Sequence, residues 1–203
     1  MKIMLIDYGV GNIKSVQKAF ESLGHDVSCS PDPGDMHRAE LVVLPGVGAF
    51  GEGMKNLSAS EFITPIRDHI QTGKAFLGIC LGFQLLFETS DEKGRHEGLG
   101  IFPGQVLRFP ESELKVPHMG WNRIHVKQSD PVFDSLEDQS FYFVHSYYVD
   151  TPDESLIATT TPYGLEFVSS IYRPNLLATQ FHPEKSGDAG IRLLRQFLLS
   201  IGK

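Results

Sequence analysis

The apolar run Ala75-Phe76-Leu77-Gly78-Ile79 leads straight into the junction Gly78-Ile79-Cys80-Leu81-Gly82, after which leucines recur at positions 81, 85 and 86. The run has the length of a buried strand and the later spacing predicts a helix, so Cys80 is expected on a strand-to-helix turn. Glycines two residues to either side let the backbone bend sharply and lift the side chain clear of the sheet, as at the serine of a nucleophile elbow. A helix that begins just after the cysteine aims its N-terminal dipole and free amide groups at the sulfur. That favours thiolate and later stabilises an oxyanion. The competing reading is a small buried cysteine that only fills a sheet core.

A second stretch, Leu176-Leu177-Ala178-Thr179-Gln180-Phe181-His182-Pro183-Glu184-Lys185, reads as an apolar strand ending in His-Pro-Glu. Pro183 stiffens the turn and keeps the chain from continuing directly into helix, so that His182 and Glu184 can converge. A thiol nucleophile needs a base within hydrogen-bond reach, and that base needs a carboxylate to fix its tautomer and stabilise the imidazolium. Cys80, His182 and Glu184 supply those three roles.

Elsewhere the first half of the chain alternates strand and helix. Ile3 to Asp7 reads as a strand, Tyr8 to Asn12 as a glycine turn, and Ile13, Val16, Phe20 and Leu23 as one face of a helix. His25 to Ser30 and Leu41 to Leu44 read as further strands, Pro45 to Gly51 as a loop, and Glu61 to Gln71 as a helix. This alternation implies α/β architecture with a mostly parallel open sheet covered by helices, the nucleophile lying at a strand's C-terminal end. By composition Thr89 to Gly98 is a surface loop. From Gln105 onward short strands separated by Pro, Asp and Gly predict additional antiparallel pairing, and Ala189 to Ile201 predicts a closing helix.

The 203 residues suit one large domain, 1-203, with a full core. A net charge of −7 argues against a general electrostatic hold on nucleic acid or an anionic membrane. Cys29 and Cys80 are the only cysteines, which suggests neither a disulfide framework nor a cysteine-based zinc site and points to a reduced, cytoplasmic setting. Met1 to Asp7 is too short an apolar run for a signal peptide, and no span reaches membrane-helix length. Gly9-x-Gly11 lacks the third glycine of a dinucleotide fingerprint, position 14 being Lys, so no nucleotide cofactor or metal is expected.

Gly78-Ile79-Cys80-Leu81-Gly82-x-Gln84, followed about a hundred residues later by His182-Pro183-Glu184, resembles the class I glutamine amidotransferases. The resemblance implies a flavodoxin-like fold and hydrolysis of L-glutamine through a thioester on Cys80. It also implies oxyanion donors from Leu81 and from Gly46, Val47 and Gly48. Gln84 and Glu92 resemble substrate contacts, Glu92 standing twelve residues after the nucleophile, where the family holds the α-ammonium of glutamine. Asp91 is the neighbouring alternative.

Asp7-Tyr8-Gly9-x-Gly11-Asn12, His118-Met119-Gly120-Trp121-Asn122 and Phe143-Val144-His145-Ser146-Tyr147 further resemble the glutaminase subunits of imidazole glycerol phosphate synthase. Composition alone makes Trp121 a core aromatic. The resemblance instead implies a heterodimer with a cyclase subunit of (β/α)8-barrel form, which receives the ammonia. In that subgroup Asn12, Met119, Trp121 and Lys185 lie at the shared face, with Tyr142 near the ammonia exit. His145, Ser146 and Tyr147 would flank the glutamine carboxylate, and the oxyanion loop is thought to turn into place only on activation. Val10 stands where some members have Pro. Glutaminase subunits of surface-sugar amidotransferases, and a catalytically silent interaction subunit, are the alternatives.

Overall fold

Strand and helix alternate through the first eighty residues of the computed structural model, which describes residues 1–110 and 114–201. The order is β1 (Lys2–Ile6), α1 (Ile13–Ser22), β2 (Asp26–Ser30), β3 (Leu41–Gly46), α2 (Phe50–Ala59), α3 (Ile63–Gln71), β4 (Ala75–Cys80) and α4 (Leu81–Gln84). There follow β5 (Phe87–Ser90), β6 (His96–Glu97), β7 (Phe102–Arg108), β8 (His118–Arg123), β9 (His125–Val126), β10 (Ser140–His145) and β11 (Tyr147–Asp150). The chain ends with β12 (Ile157–Pro162), β13 (Glu166–Arg173), β14 (Leu176–Thr179) and α5 (Gly187–Ser200).

β1, β3, β4 and β14 are apolar almost throughout because both of their faces are covered. Together with β2 they form a parallel block in the order β2-β1-β3-β4-β14. The sheet then continues through β13, β11, β7, β5 and β6, largely antiparallel, as the shorter periodicity of the second half predicts. Alternate side chains enter two cores. Leu5, Leu77 and Phe181 pack with Phe20 of α1 and Phe197 of α5, while Met4 and Phe76 pack with Phe50 of α2 and Ile66 of α3. Among the described residues no helix is long and apolar enough to cross a membrane.

Several expectations change. The helix after Cys80 is a single turn, Leu81–Gln84, and its dipole is correspondingly small. Leu85 and Leu86 break away because their carbonyls accept from Leu99 N and Ile101 N rather than from the next turn. The supposed loop Pro45 to Gly51 shrinks to Val47-Gly48-Ala49: β3 runs on through Pro45 and Gly46, and α2 begins at Phe50. α2 escapes a propensity reading because Gly51 and Gly53 interrupt it; a Cβ on Gly51 would lie 2.6 Å from the His96 ring, and one on Gly53 3.0 Å from Leu81. The polar stretch 89–98 holds the hairpin β5–β6, closed by Lys93 and Gly94 at positive φ. In α5 the buried stripe is Gly190, Leu193, Leu194, Phe197 and Leu198, with Ile191 and Ile201 at its margin.

Gly82 fits its place only without a side chain, since a Cβ there would stand 1.9 Å from Leu44 O of β3. Gly82→Ala is expected to lower stability by about 2–3 kcal/mol through this overpacking, read as a lower urea midpoint at unchanged slope.

Candidate active site

The parallel register brings the ends of three strands level. Gly46 of β3 pairs with Cys80 of β4, and Thr179 of β14 pairs with Ile79, which sets Gln180 beside Cys80. Cys80 takes φ +54° and ψ −107°, a left-handed conformation for a residue with a Cβ, and caps the turn of α4. Such a conformation costs on the order of 1–3 kcal/mol and persists because the surroundings enforce it. Gly78 and Gly82 are what permit it: a Cβ on Gly78 would meet Gly82 O at 2.9 Å. The bend read from the sequence is therefore real, although a long helix is not behind it.

Past β14 the chain passes Phe181 into a short 3-10 turn, Pro183–Lys185, with Pro183 at its first position. His182 N donates to Tyr142 O at 2.9 Å, and Ser186 Oγ donates to His182 O at 2.6 Å, so the backbone on both sides of the imidazole is fixed. Nδ1 of His182 lies 2.8 Å from Oε1 of Glu184, both side chains being almost wholly buried. A carboxylate accepts only, so Nδ1 carries a proton and donates it to Glu184. Among the described residues His182 Nε2 and Glu184 Oε2 meet no hydrogen-bond partner. Burial opposes a charge on His182, but its interactions with Cys80 and with Glu184 outweigh that and raise its pKa above the usual histidine range. The charged imidazolium form of His182 is thus favoured.

A cavity of about 280 Å3 opens on Cys80, lined by Val47, Gly48, Leu81, Gln84, Glu92, Pro117, Val144, His145, Ser146 and Tyr147. It collects all the substrate-side residues picked from the sequence. Gly46 is the exception: as a strand residue abreast of Cys80 it does not line the space. Glu92, half-buried, accepts from Phe50 N at 2.7 Å and so caps α2 while facing the cavity. Burial lowers the His145 pKa to about 3 despite its bond to Tyr147 O, and burial lowers that of His118 to about 4. Both rings are neutral at pH 7. A groove of about 570 Å3 at the opposite end of β4 and β14, near Arg67, Lys74 and Arg173, is larger but holds no nucleophile.

β8 and β10 form a separate two-stranded ribbon, with Trp121 opposite Tyr142 and His118 opposite His145. Its alternation turns Met119 and Trp121 outward, 63% and 59% exposed, so the core reading of Trp121 is overturned. The Trp121 and Tyr142 rings meet edge to face at 6.3 Å, the Tyr142 and His182 centroids are 6.4 Å apart, and Lys185 Nζ sits 5.8 Å over Tyr142. Asn12 is exposed at the head of α1. Sequence reasoning did not single out Pro117, Val144 or Gln180 among the groups around Cys80; for Gln180 the signal was its place directly after the strand that leads to His182.

A cysteine on a bent strand end that opens on a cavity, with an imidazole–carboxylate pair just past the adjacent parallel strand, is an arrangement suited to thiol-based hydrolysis on an open α/β sheet. The chain belongs to the glutamine amidotransferase class-I family, whose description matches residues 4–201. It is 50% identical over 96% of its length to the imidazole glycerol phosphate synthase subunit HisH of Syntrophotalea carbinolica, covering 98% of that protein. It is 51% identical to the subunit of the same name from Geobacter sulfurreducens, over 97% of both chains. Among solved structures a glutamine amidotransferase aligns with a TM-score of 0.77 at 18% identity, covering 98% of this chain and 99% of that one. The PurLQS structure from Thermotoga maritima aligns with a TM-score of 0.76 at 17% identity, covering 98% of this chain and 97% of that one. These last two likenesses bear on the fold alone.

The two neutral histidines make stability acid-sensitive. A histidine whose pKa is lowered by folding contributes stability above about pH 6.5, and that contribution is lost as pH falls toward the folded value. Between pH 7 and 5, His145→Gln is expected to lose about 2 kcal/mol less stability than the parent, measured by urea unfolding at both pH values.

Proposed function

We propose that the chain is a glutaminase subunit that hydrolyses L-glutamine to L-glutamate and ammonia, the ammonia passing to a cyclase subunit that makes imidazole glycerol phosphate and aminoimidazole carboxamide ribotide in histidine biosynthesis. The observation that carries the chemistry is the buried His182–Glu184 pair at 2.8 Å, beside the strained Cys80, which opens on a cavity of about 280 Å3. The choice of acceptor rests on near full-length identity of about half to subunits bearing that synthase's name.

Glutamine would enter with its side-chain amide at Cys80 and its α-ammonium toward Glu92, while backbone groups of His145, Ser146 and Tyr147 meet its carboxylate. Thiolate attacks the amide carbon as His182, braced by Glu184, holds the proton that the departing nitrogen takes away as ammonia. The oxyanion is met by the amide of Leu81 and by one from Val47 or Gly48. Water, activated by the now neutral His182, then releases glutamate from the thioester. Each oxyanion donor contributes about 3 kcal/mol to the transition state, so a single misdirected peptide at Val47-Gly48 would leave the enzyme nearly idle until the partner is seated.

The partner is read as a (β/α)8-barrel cyclase that covers Met119 and Trp121, an exposed apolar pair beside the half-buried Tyr142 and Lys185. Asn12 would border the same face. This ribbon lies one aromatic contact from His182, which suits a route for ammonia past Tyr142.

Mixing the chain with a cyclase subunit should give glutamine-dependent product, with little glutaminase activity from the chain alone; equal turnover with and without partner would contradict the switch. Cys80→Ala is expected to abolish glutamine use in the complex while ammonia-dependent synthesis continues. Normal glutamine consumption by that variant would remove the nucleophile assignment.

A further inference from the structure

Gln180 is fully buried directly beside the nucleophile, and the triad makes no use of it. Its backbone is held by a bond from Gln180 N to Ser169 O at 2.8 Å. Its side chain lies between two partners: Oε1 accepts from Gln84 Nε2 at 2.9 Å, and Nε2 lies 3.8 Å from Cys80 Sγ.

Which end of the amide faces the sulfur is settled by the neighbours. Tyr147 O accepts only, so the end of Gln84 that lies 3.0 Å from it is the Nε2 end. The second hydrogen of that nitrogen then points at Gln180, whose Oε1 must face it, and the Gln180 N–H group is left aimed at Cys80 Sγ. The order reaches further back. Tyr147 O also accepts from His145 Nδ1 at 2.7 Å, His145 Nε2 accepts from His118 Nδ1 at 3.0 Å, and His118 Nε2 accepts from Asn122 Nδ2 at 3.3 Å. Hydrogen bonds therefore converge on Tyr147 O from the inner face of β8 and from Gln84, and Gln84 in turn orients Gln180 toward the sulfur.

We propose that Gln180 is a positioning residue for Cys80, its amide locked by Gln84 so that an N–H always faces the sulfur. An amide N–H has no acceptor for a thiol proton. Gln180 can therefore donate to the sulfur but not accept from it, which leaves proton exchange at Cys80 to His182, and negative charge on sulfur keeps a hydrogen bond. Gln84, read above as a substrate contact, has both amide hydrogens committed, so only its oxygen remains for glutamine.

The inference rests on Cys80 being the nucleophile, and the test separates the two. In a Cys29→Ser background, which leaves one thiol, the rate of iodoacetamide labelling at Cys80 is followed against pH for the parent, Gln180→Leu and Gln180→Glu, with urea midpoints taken alongside. Gln180→Glu keeps an acceptor for Gln84 and so guards against simple misfolding. The labelling profile is expected to move to higher pH by about one unit in Gln180→Leu and by more in Gln180→Glu, with about a tenfold lower rate at pH 7. In the assembled synthase kcat for glutamine should fall about tenfold while KM stays within about twofold. A folded variant that labels on the parent's profile overturns the role of Gln180. A parent whose Cys80 does not label at all overturns the nucleophile assignment instead.

Discussion

The level register of β3, β4 and β14 is the constraint on which the site depends. Parallel strands that neighbour one another in space end on the same side of a sheet, and here the ends of the second and third carry Cys80 and, three residues past the last strand pair, His182. Once Thr179 stands opposite Ile79, the sulfur and the imidazole differ in position by little more than the length of Gln180 and Phe181. Slipping β14 by one residue would reverse every side chain on it and turn Leu177 out of its core.

Burial around that rim sorts the ionisable groups by their partners. His145 and His118 bond to each other, to a carbonyl and to an amide, and desolvation makes them neutral. His182 is just as deeply placed but has a carboxylate on one side and the thiol on the other, and its shift runs the opposite way. The same imidazole chemistry therefore gives a neutral ring in one place and a charged one in the other, and the difference is the charge of the nearest neighbour.

Much of this was legible in the sequence, for identifiable reasons. Gly78 and Gly82 announce the bend because no other residue fits there, and the buried strands announce themselves by unbroken apolar runs. The cavity's residues were found through resemblance rather than through any local pattern. What escaped was set by long-range contact. α2 is interrupted by glycines that serve its approach to His96 and Leu81. The helix expected after Cys80 stops because Leu85 and Leu86 give their carbonyls to residues 99–101. Trp121 faces outward because β8 alternates, a fact visible only once His118 is seen to be buried opposite His145. Gln180 is one polar side chain among many until the pairing of β14 with β4 sets it against sulfur.

β14 is inserted between β4 and β13, yet among the described strands it is the last to leave the ribosome. Non-local pairing of this kind forms late, after the entropy of closing a long loop has been met. A nascent or partly folded molecule thus carries Cys80 without His182 beside it. The proposed triad is therefore assembled only with completion of the sheet, and an unfinished chain holds its cysteine and its imidazole apart.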